Sequence, residues 1–253
     1  ELMIAMMLGL IVIGGALSIY ISTIKSSSDV VKSARLNYDL DSAMQLMIND
    51  IRRAGYWGGA VAGSDATNNN FTQVPTVATA TDIQIRNVAA PTTAVSEGNC
   101  ILYTYDGANG DGVVDTNEYY GFRLNGVELE IRTTGTAATA GDCDGDGQWE
   151  NIIDENKVEI TDLQFSLSPI AAIVGPPAIP GLPKSSQCLN TTATVAVPFN
   201  EPCNGVNVPS TNTAIETRQV NIVLTGEVLN DTAVSKVLIG SVKVRNDRIF
   251  TQP

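Results

Sequence analysis

Residues 2–24 read LMIAMMLGLIVIGGALSIYISTI, and residues 25–54 continue as KSSSDVVKSARLNYDLDSAMQLMINDIRRA. The first stretch holds 23 residues without a charged side chain, and one acid, Glu1, stands directly before it. A helix of that length spans a bilayer. The helical signal does not stop at Lys25. Leu36, Leu40, Ala43, Met47, Ile51 and Ala54 recur at spacings of three and four, with Met44 and Ile48 widening the face. Asp39, Asp41, Asn49, Asp50 and Arg52 lie mostly off that stripe, which is the pattern of a helix laid on a core. Together the stretches predict one helix to about Ala54, roughly 80 Å long at about 1.5 Å per residue. A membrane anchor fused without a break to a half-soluble helix suggests that the apolar part packs against copies of itself as well as lipid. Gly14 and Gly15 sit mid-span, where each costs roughly 1 kcal/mol relative to alanine in water. They read either as a close-packing site for neighbouring helices or as a weak point where the helix loosens on leaving the bilayer.

Gly55, Gly58 and Gly59 predict the end of the helix around Tyr56 and Trp57. A Thr/Ala/Asn-rich region follows to about Ala80, read as a surface loop with short strands. From there the chain reads as β, with strands expected over 83–88, 101–105, 119–124, 127–133, 158–168, 218–229 and 236–245. Asn125-Gly126 between two alternating runs is a two-residue hairpin signal. Pro169 to Pro183 contains five prolines and cannot be an interior strand, so 169–214 reads as a long loop. The expected class is α+β: an N-terminal helix (1–54) packed on an antiparallel β-rich head (55–253).

Histidine is absent, which removes the commonest general base, metal ligand and pH switch at once. No enzyme is expected. The net charge is −12 and unevenly spread. Between Asp106 and Asp162 stand 14 acids against the three bases Arg123, Arg132 and Lys157, a local balance of −11. No basic stripe marks a nucleic-acid partner. The four cysteines Cys100, Cys143, Cys188 and Cys203 lack metal or redox spacing, and their even number fits two disulfides. Three connectivities are possible; proximity in the chain favours Cys188–Cys203 and Cys100–Cys143.

Two acidic loops carry a calcium-like pattern. Measured back from Glu118, the first places Asn109, Asp111, Gly112, Val113 (carbonyl), Asp115 and Glu118 at positions 3, 5, 6, 7, 9 and 12 of an EF-hand-type loop. Position 1 falls on Gly107, with Asp106 one residue early. In the second, Asp142, Asp144, Asp146 and Glu150 fall at positions 1, 3, 5 and 9, and Ile153 replaces the bidentate acid. Calcium is the expected cofactor if these loops bind a cation; the plainer reading is a solvated Asp/Gly turn.

The opening Glu1-Leu2-Met3-Ile4-Ala5-Met6-Met7-Leu8-Gly9-Leu10 resembles the anchor of type IV pilins and pseudopilins just after the prepilin peptidase cleavage site. Asp50-Ile51-Arg52-Arg53-Ala54-Gly55-Tyr56-Trp57-Gly58 is similar to the minor pilin family called PilW, as are Tyr119-Tyr120-Gly121-Phe122-Arg123-Leu124 and Val242-Lys243-Val244-Arg245-Asn246. The resemblance implies a pilin fold with a disulfide-closed C-terminal region and a structural role. It implies an inner-membrane precursor that moves into an extracellular pilus of a Gram-negative bacterium, with other pilins and the assembly machinery as partners. It also implies that Glu1 pairs with the N-terminal amine of a neighbouring subunit, and that a usually N-methylated first residue precedes it. The anchor lacks the proline of many major pilins, so Gly14-Gly15 would supply any helix break. A type II secretion pseudopilin and a membrane-anchored, calcium-dependent adhesion module are the competing readings.

Overall fold

A computed structural model describes residues 2–60, 64–74, 80–135, 143, 148–172, 181–192 and 198–252. One helix, α1 (Leu2–Ile51), runs unbroken for 50 residues, as its proline-free sequence permits. It ends three residues before Ala54. Arg53 and Ala54 donate their backbone N–H groups to Asp50 and Ile51 in tighter turns (2.9 and 3.1 Å). Gly55 then takes a positive φ of +71°, which a side chain there would strain, and donates its N–H to the Thr104 carbonyl at 2.8 Å.

The stretch before residue 80 holds no strand among its described residues. It forms two 3-10 turns, Ala66–Asn68 and Asn70–Thr72, capped by the side chains of Asp65 and Asn69, and it buries Phe71. The strands follow as β1 (Gln84–Asn87), β2 (Ala90–Ala94), β3 (Glu97–Gly98), β4 (Cys100–Thr104), β5 (Tyr119–Asn125), β6 (Glu128–Thr134), β7 (Gln148–Asn151) and β8 (Val158–Ser166). Then come β9 (Gln187–Asn190), β10 (Pro198–Phe199), β11 (Thr213–Thr217), β12 (Gln219–Val228), β13 (Asp231–Lys243) and β14 (Arg248–Thr251). They make three sheets, ordered β2-β1-β4-β5-β6-β7, β13-β12-β8-β3 and β10-β9-β11-β14. The β5–β6 hairpin pairs Asn125 with Glu128, so Gly126 and Val127 form the connection, one residue later than the sequence signal placed it. The third sheet corrects the reading of 169–214 as a loop: β9 and β10 lie inside it, and β11 begins there.

The helix lies across the second sheet and runs in the same direction as β13. Lys32 pairs with Asp231 at 3.0 Å and Asp41 with Lys236 at 3.2 Å. Farther along, the Arg245 N–H meets the Arg52 carbonyl at 3.1 Å. Gly240 allows this close approach, since a Cβ there would come within 2.8 Å of the Met44 sulfur and the Met44 side chain would have to shift. Leu36, Leu40, Ala43, Met44, Met47 and Ile51 are the buried face of α1. They share one apolar core with Ile101, Phe122, Phe165, Ile222 and Leu224 of the first two sheets. Each large side chain removed from water there contributes about 1.5–3 kcal/mol. Disulfides join Cys100 to Cys143 and Cys188 to Cys203, the second tying β9 to the segment before β11.

Candidate functional site

Three features compete as the working part of the molecule: the bare half of α1, its junction with the head, and the acidic loop after β4.

Every residue of α1 from Leu2 to Val31 is exposed. Met3, Leu10 and Ile11 keep 84, 71 and 66% of their surfaces open, and no part of the head shelters them. The helix is long and apolar enough to cross a membrane. Apolar exposure continues beyond that span on the outward side, at Val30, Val31, Tyr38 and Leu46. Val31 and Tyr38 are seven residues apart and therefore share a helix face. Gly14 and Gly15 lie within the unbroken helix, with no atom within 4 Å of the place a Cβ would take. Room exists there for a second backbone to approach. Glu1 lies outside the described residues.

At the other end the helix is clamped. Asp50 accepts hydrogen bonds from the hydroxyls of Tyr103 (2.6 Å) and Tyr105 (2.8 Å). The two tyrosines sit two residues apart, so their side chains leave one face of an extended chain. Tyr120 stacks on Tyr105 with ring centroids 3.9 Å apart, and the Arg53 guanidinium lies over the Tyr105 ring at 4.1 Å from its centroid. Burial, and then the negative charge of Asp50, push both tyrosine pKa values well above the ordinary range. Asp50 lies off the apolar stripe, so helical periodicity gives no sign of this junction. The signal was the tyrosine pair at 103 and 105.

The first acidic loop is closed by backbone amides, most of them its own and one from Gly58 just after the helix. Buried Asp106 accepts from the N–H groups of Gly58 (3.0 Å), Gly110 (2.8 Å) and Gly112 (2.8 Å). Buried Glu118 accepts from Gly107 (3.0 Å), Ala108 (3.1 Å) and Asp115 (3.0 Å). These two acids are thus the loop's frame. The outer face carries Asn109, whose amide nitrogen is 3.0 Å from both Asp111 and Asp115, while the Val113 side chain stands exposed. Among the described residues no group of three or more Asp, Glu, Cys or His side chains is gathered to hold a metal ion. In the second loop Asp142, Asp144 and Asp146 lie outside the described residues. Glu150 is an exposed residue of β7 opposite Ile131, and Cys143 is buried.

A further charged cluster was not expected from sequence, because isolated acids and arginines read as surface. Arg218, fully buried, pairs with buried Asp82. Arg248 lies 3.5 Å from both Asp82 and Glu216, and Glu216 also accepts from the Cys203 N–H at 2.9 Å. Burial raises the Glu216 pKa against the pull of Arg248 and that N–H. Burial and the like charge of Arg248 bring Arg218 down to about 9, so it remains a cation at neutral pH. The cluster fastens the third sheet to the rest of the head. It is structural, since each charge faces a partner within the chain.

The family model described as prepilin peptidase-dependent protein B matches residues 29–244, which covers the second half of α1 and nearly all of the head. No curated protein and no solved structure matches the chain.

Proposed function

This chain belongs to the prepilin peptidase-dependent protein B family, and from that premise we propose that it is a structural subunit of a type IV pilus. Membership gives a pilin-like or pseudopilin-like role; the finer reading is a PilW-like pilin that primes or forms the fibre. The supporting observation is the run of 30 exposed helix residues, 2–31, continuous with a half that is locked into the head. Lipid covers such a rod before assembly, and other rods cover it afterwards. Relative to water its burial is worth tens of kcal/mol, at about 1.5–3 kcal/mol per large side chain. Relative to lipid the gain is far smaller, because lipid tails are as apolar as leucine. Extraction therefore needs an energy-driven assembly machine. Glu1 at the edge of the span is costly unless paired, and we assign it the neighbouring subunit's N-terminal amine as partner.

Immunogold electron microscopy of cells and of sheared, purified filaments tests this reading. Label along the shaft is the result for a main subunit and label at tips the result for a priming one. Label confined to the membrane of cells with normal fibres would overturn both and favour an anchored adhesion module. Label that depends on a secretion system instead would favour a pseudopilin.

Calcium at the first loop is a second proposal with a narrow basis. Turning the Asn109 amide over places its oxygen beside both carboxylates, and gives up the bond that oxygen now accepts from the Asp111 N–H at 3.3 Å. Three oxygens, from Asn109, Asp111 and Asp115, then converge. Calorimetry of the full chain in detergent, titrated with calcium after chelation, should give heat that the Asp111→Asn, Asp115→Asn variant lacks. No heat in the parent chain removes the proposal.

A further inference from the structure

We propose that a groove carrying Lys184 and Lys243 receives the acidic loop around Asp111 and Asp115 of a second copy of this chain. The proposal rests on the filament reading above and adds a contact between heads to the contact between helices.

The groove opens where the second and third sheets meet. Lys243 ends β13 opposite Gln219 of β12, and Lys184 lies just before β9. Gln187 and Thr217 are paired across β9 and β11 and line the same depression, which has a volume of about 290 Å³ and, among the described residues, no acid and no aromatic ring in its lining. Its walls are held in place. The fully buried Asn221 donates to the Lys184 carbonyl at 2.6 Å. Ser186 takes the Gln219 N–H at 3.0 Å. Both lysines are exposed, and neither enters an ion pair among the described residues.

Two cations in one polar groove, unpaired among the described residues, are unusual in a chain of net charge −12. A groove with polar walls offers little to an apolar segment and much to carboxylates. The matching surface is on the same molecule. Asp111 stands exposed and Asp115 half-buried on the outer face of the loop that follows β4. The Asn109 amide nitrogen lies 3.0 Å from both, and Asp111 also accepts the Val113 N–H at 2.8 Å. Neither acid enters an ion pair among the described residues. Repeated head-to-tail with a rotation that does not close, a contact between these two patches propagates into an open helical filament, the arrangement the filament reading requires. Exposed ion pairs of this kind set register and partner choice more than they add affinity.

The test uses full-length chains assembled in cells, kept in chelator because calcium would compete for the same carboxylates. One copy carries Lys243→Cys, the other Asp111→Cys, and oxidation reads their proximity. Val31→Cys in both copies reports helix contact separately. The expected result is a mixed crosslink between 243 and 111, with none between two copies of the same variant. Lys184→Glu with Lys243→Glu should lower the yield of assembled chain roughly tenfold, the worth of two screened ion pairs. Adding Asp111→Lys and Asp115→Lys should restore most of it, and the melting temperature of each variant should match the parent. Helix crosslinks without the 243–111 crosslink overturn this proposal and leave the filament reading standing. Absence of both overturns both. Failure of the reversed-charge combination to recover assembly, or binding of the lysine groove to vesicles of anionic phospholipid with no crosslink between heads, also overturns it.

Discussion

The two halves of α1 share one secondary structure and have opposite needs. Residues 36–51 place six side chains in the head's core, whereas residues 2–31 place none in contact with any shelter the chain provides. The C-terminal half is helical because tertiary packing holds an amphipathic face, the usual source of helix stability in proteins. The N-terminal half has no such support. In water, a lone helix interrupted by Gly14-Gly15 would be marginal. In lipid, or among other helices, it is obligatory, because every backbone N–H and C=O must be satisfied within the segment. The difference teaches that the molecule is complete in its head and incomplete in its rod.

That contrast breaks most readily at the helix core. In the full chain in detergent, Leu40→Ala should lower the unfolding free energy of the head by about 2–5 kcal/mol, the cost of an emptied core site. Leu10→Ala should leave the head's melting temperature unchanged, and equal shifts would mean that the halves form one cooperative unit. The next largest effect concerns the third sheet. Replacing Cys188 and Cys203 by serine opens a loop with a sequence separation of 15, and the loss expected is about 3 kcal/mol. Hydrogen exchange should quicken first in β9 and β11, with α1 still protected. Loss of protection in α1 at the same rate would contradict the separation of that sheet from the helix core. At the junction, Asp50→Ala leaves the Tyr103 and Tyr105 hydroxyls without their acceptor, at a cost of roughly 2 kcal/mol. Exchange at 45–51 should rise while exchange at 2–24 in detergent stays as it was.

The smallest effect is one of pH. The pKa of both tyrosines is raised in the folded head, while in the unfolded chain they ionise from about pH 10. The folded state therefore holds more protons above that pH. Its stability is unaffected below pH 10 and falls as pH climbs past it. Tyr103→Phe with Tyr105→Phe should flatten the fall; an unchanged slope would place the alkaline sensitivity elsewhere.

The rod and its buried stripe were legible in sequence because they are long and periodic, and a 3.6-residue period over some fifty residues has few other readings. The long strands of the first two sheets were legible for the same reason, from alternation and the Asn125-Gly126 signal. The third sheet was not. Its strands are two to five residues long, too short for alternation to register, and the prolines before it argued for a loop. The Cys188–Cys203 bond was legible from its proximity in the chain; the buried charges of Asp82, Glu216, Arg218 and Arg248 that fasten the sheet were not, because isolated acids and arginines read as surface. The acidic loop was partly legible. Its spacing picked out Glu118 and left Asp106 one residue out of register, and spacing alone does not distinguish an acid that frames a turn from one that faces a cation.

The most direct measurement of the central claim is a spin label at Ile13→Cys, read in the membrane fraction and again in purified filaments. In membranes the label should relax with lipid-soluble oxygen and stay magnetically dilute. In filaments the account predicts loss of that oxygen effect and strong dipolar broadening from labels on neighbouring rods. A label that stays lipid-exposed and dilute in cells whose fibres are normal would contradict it.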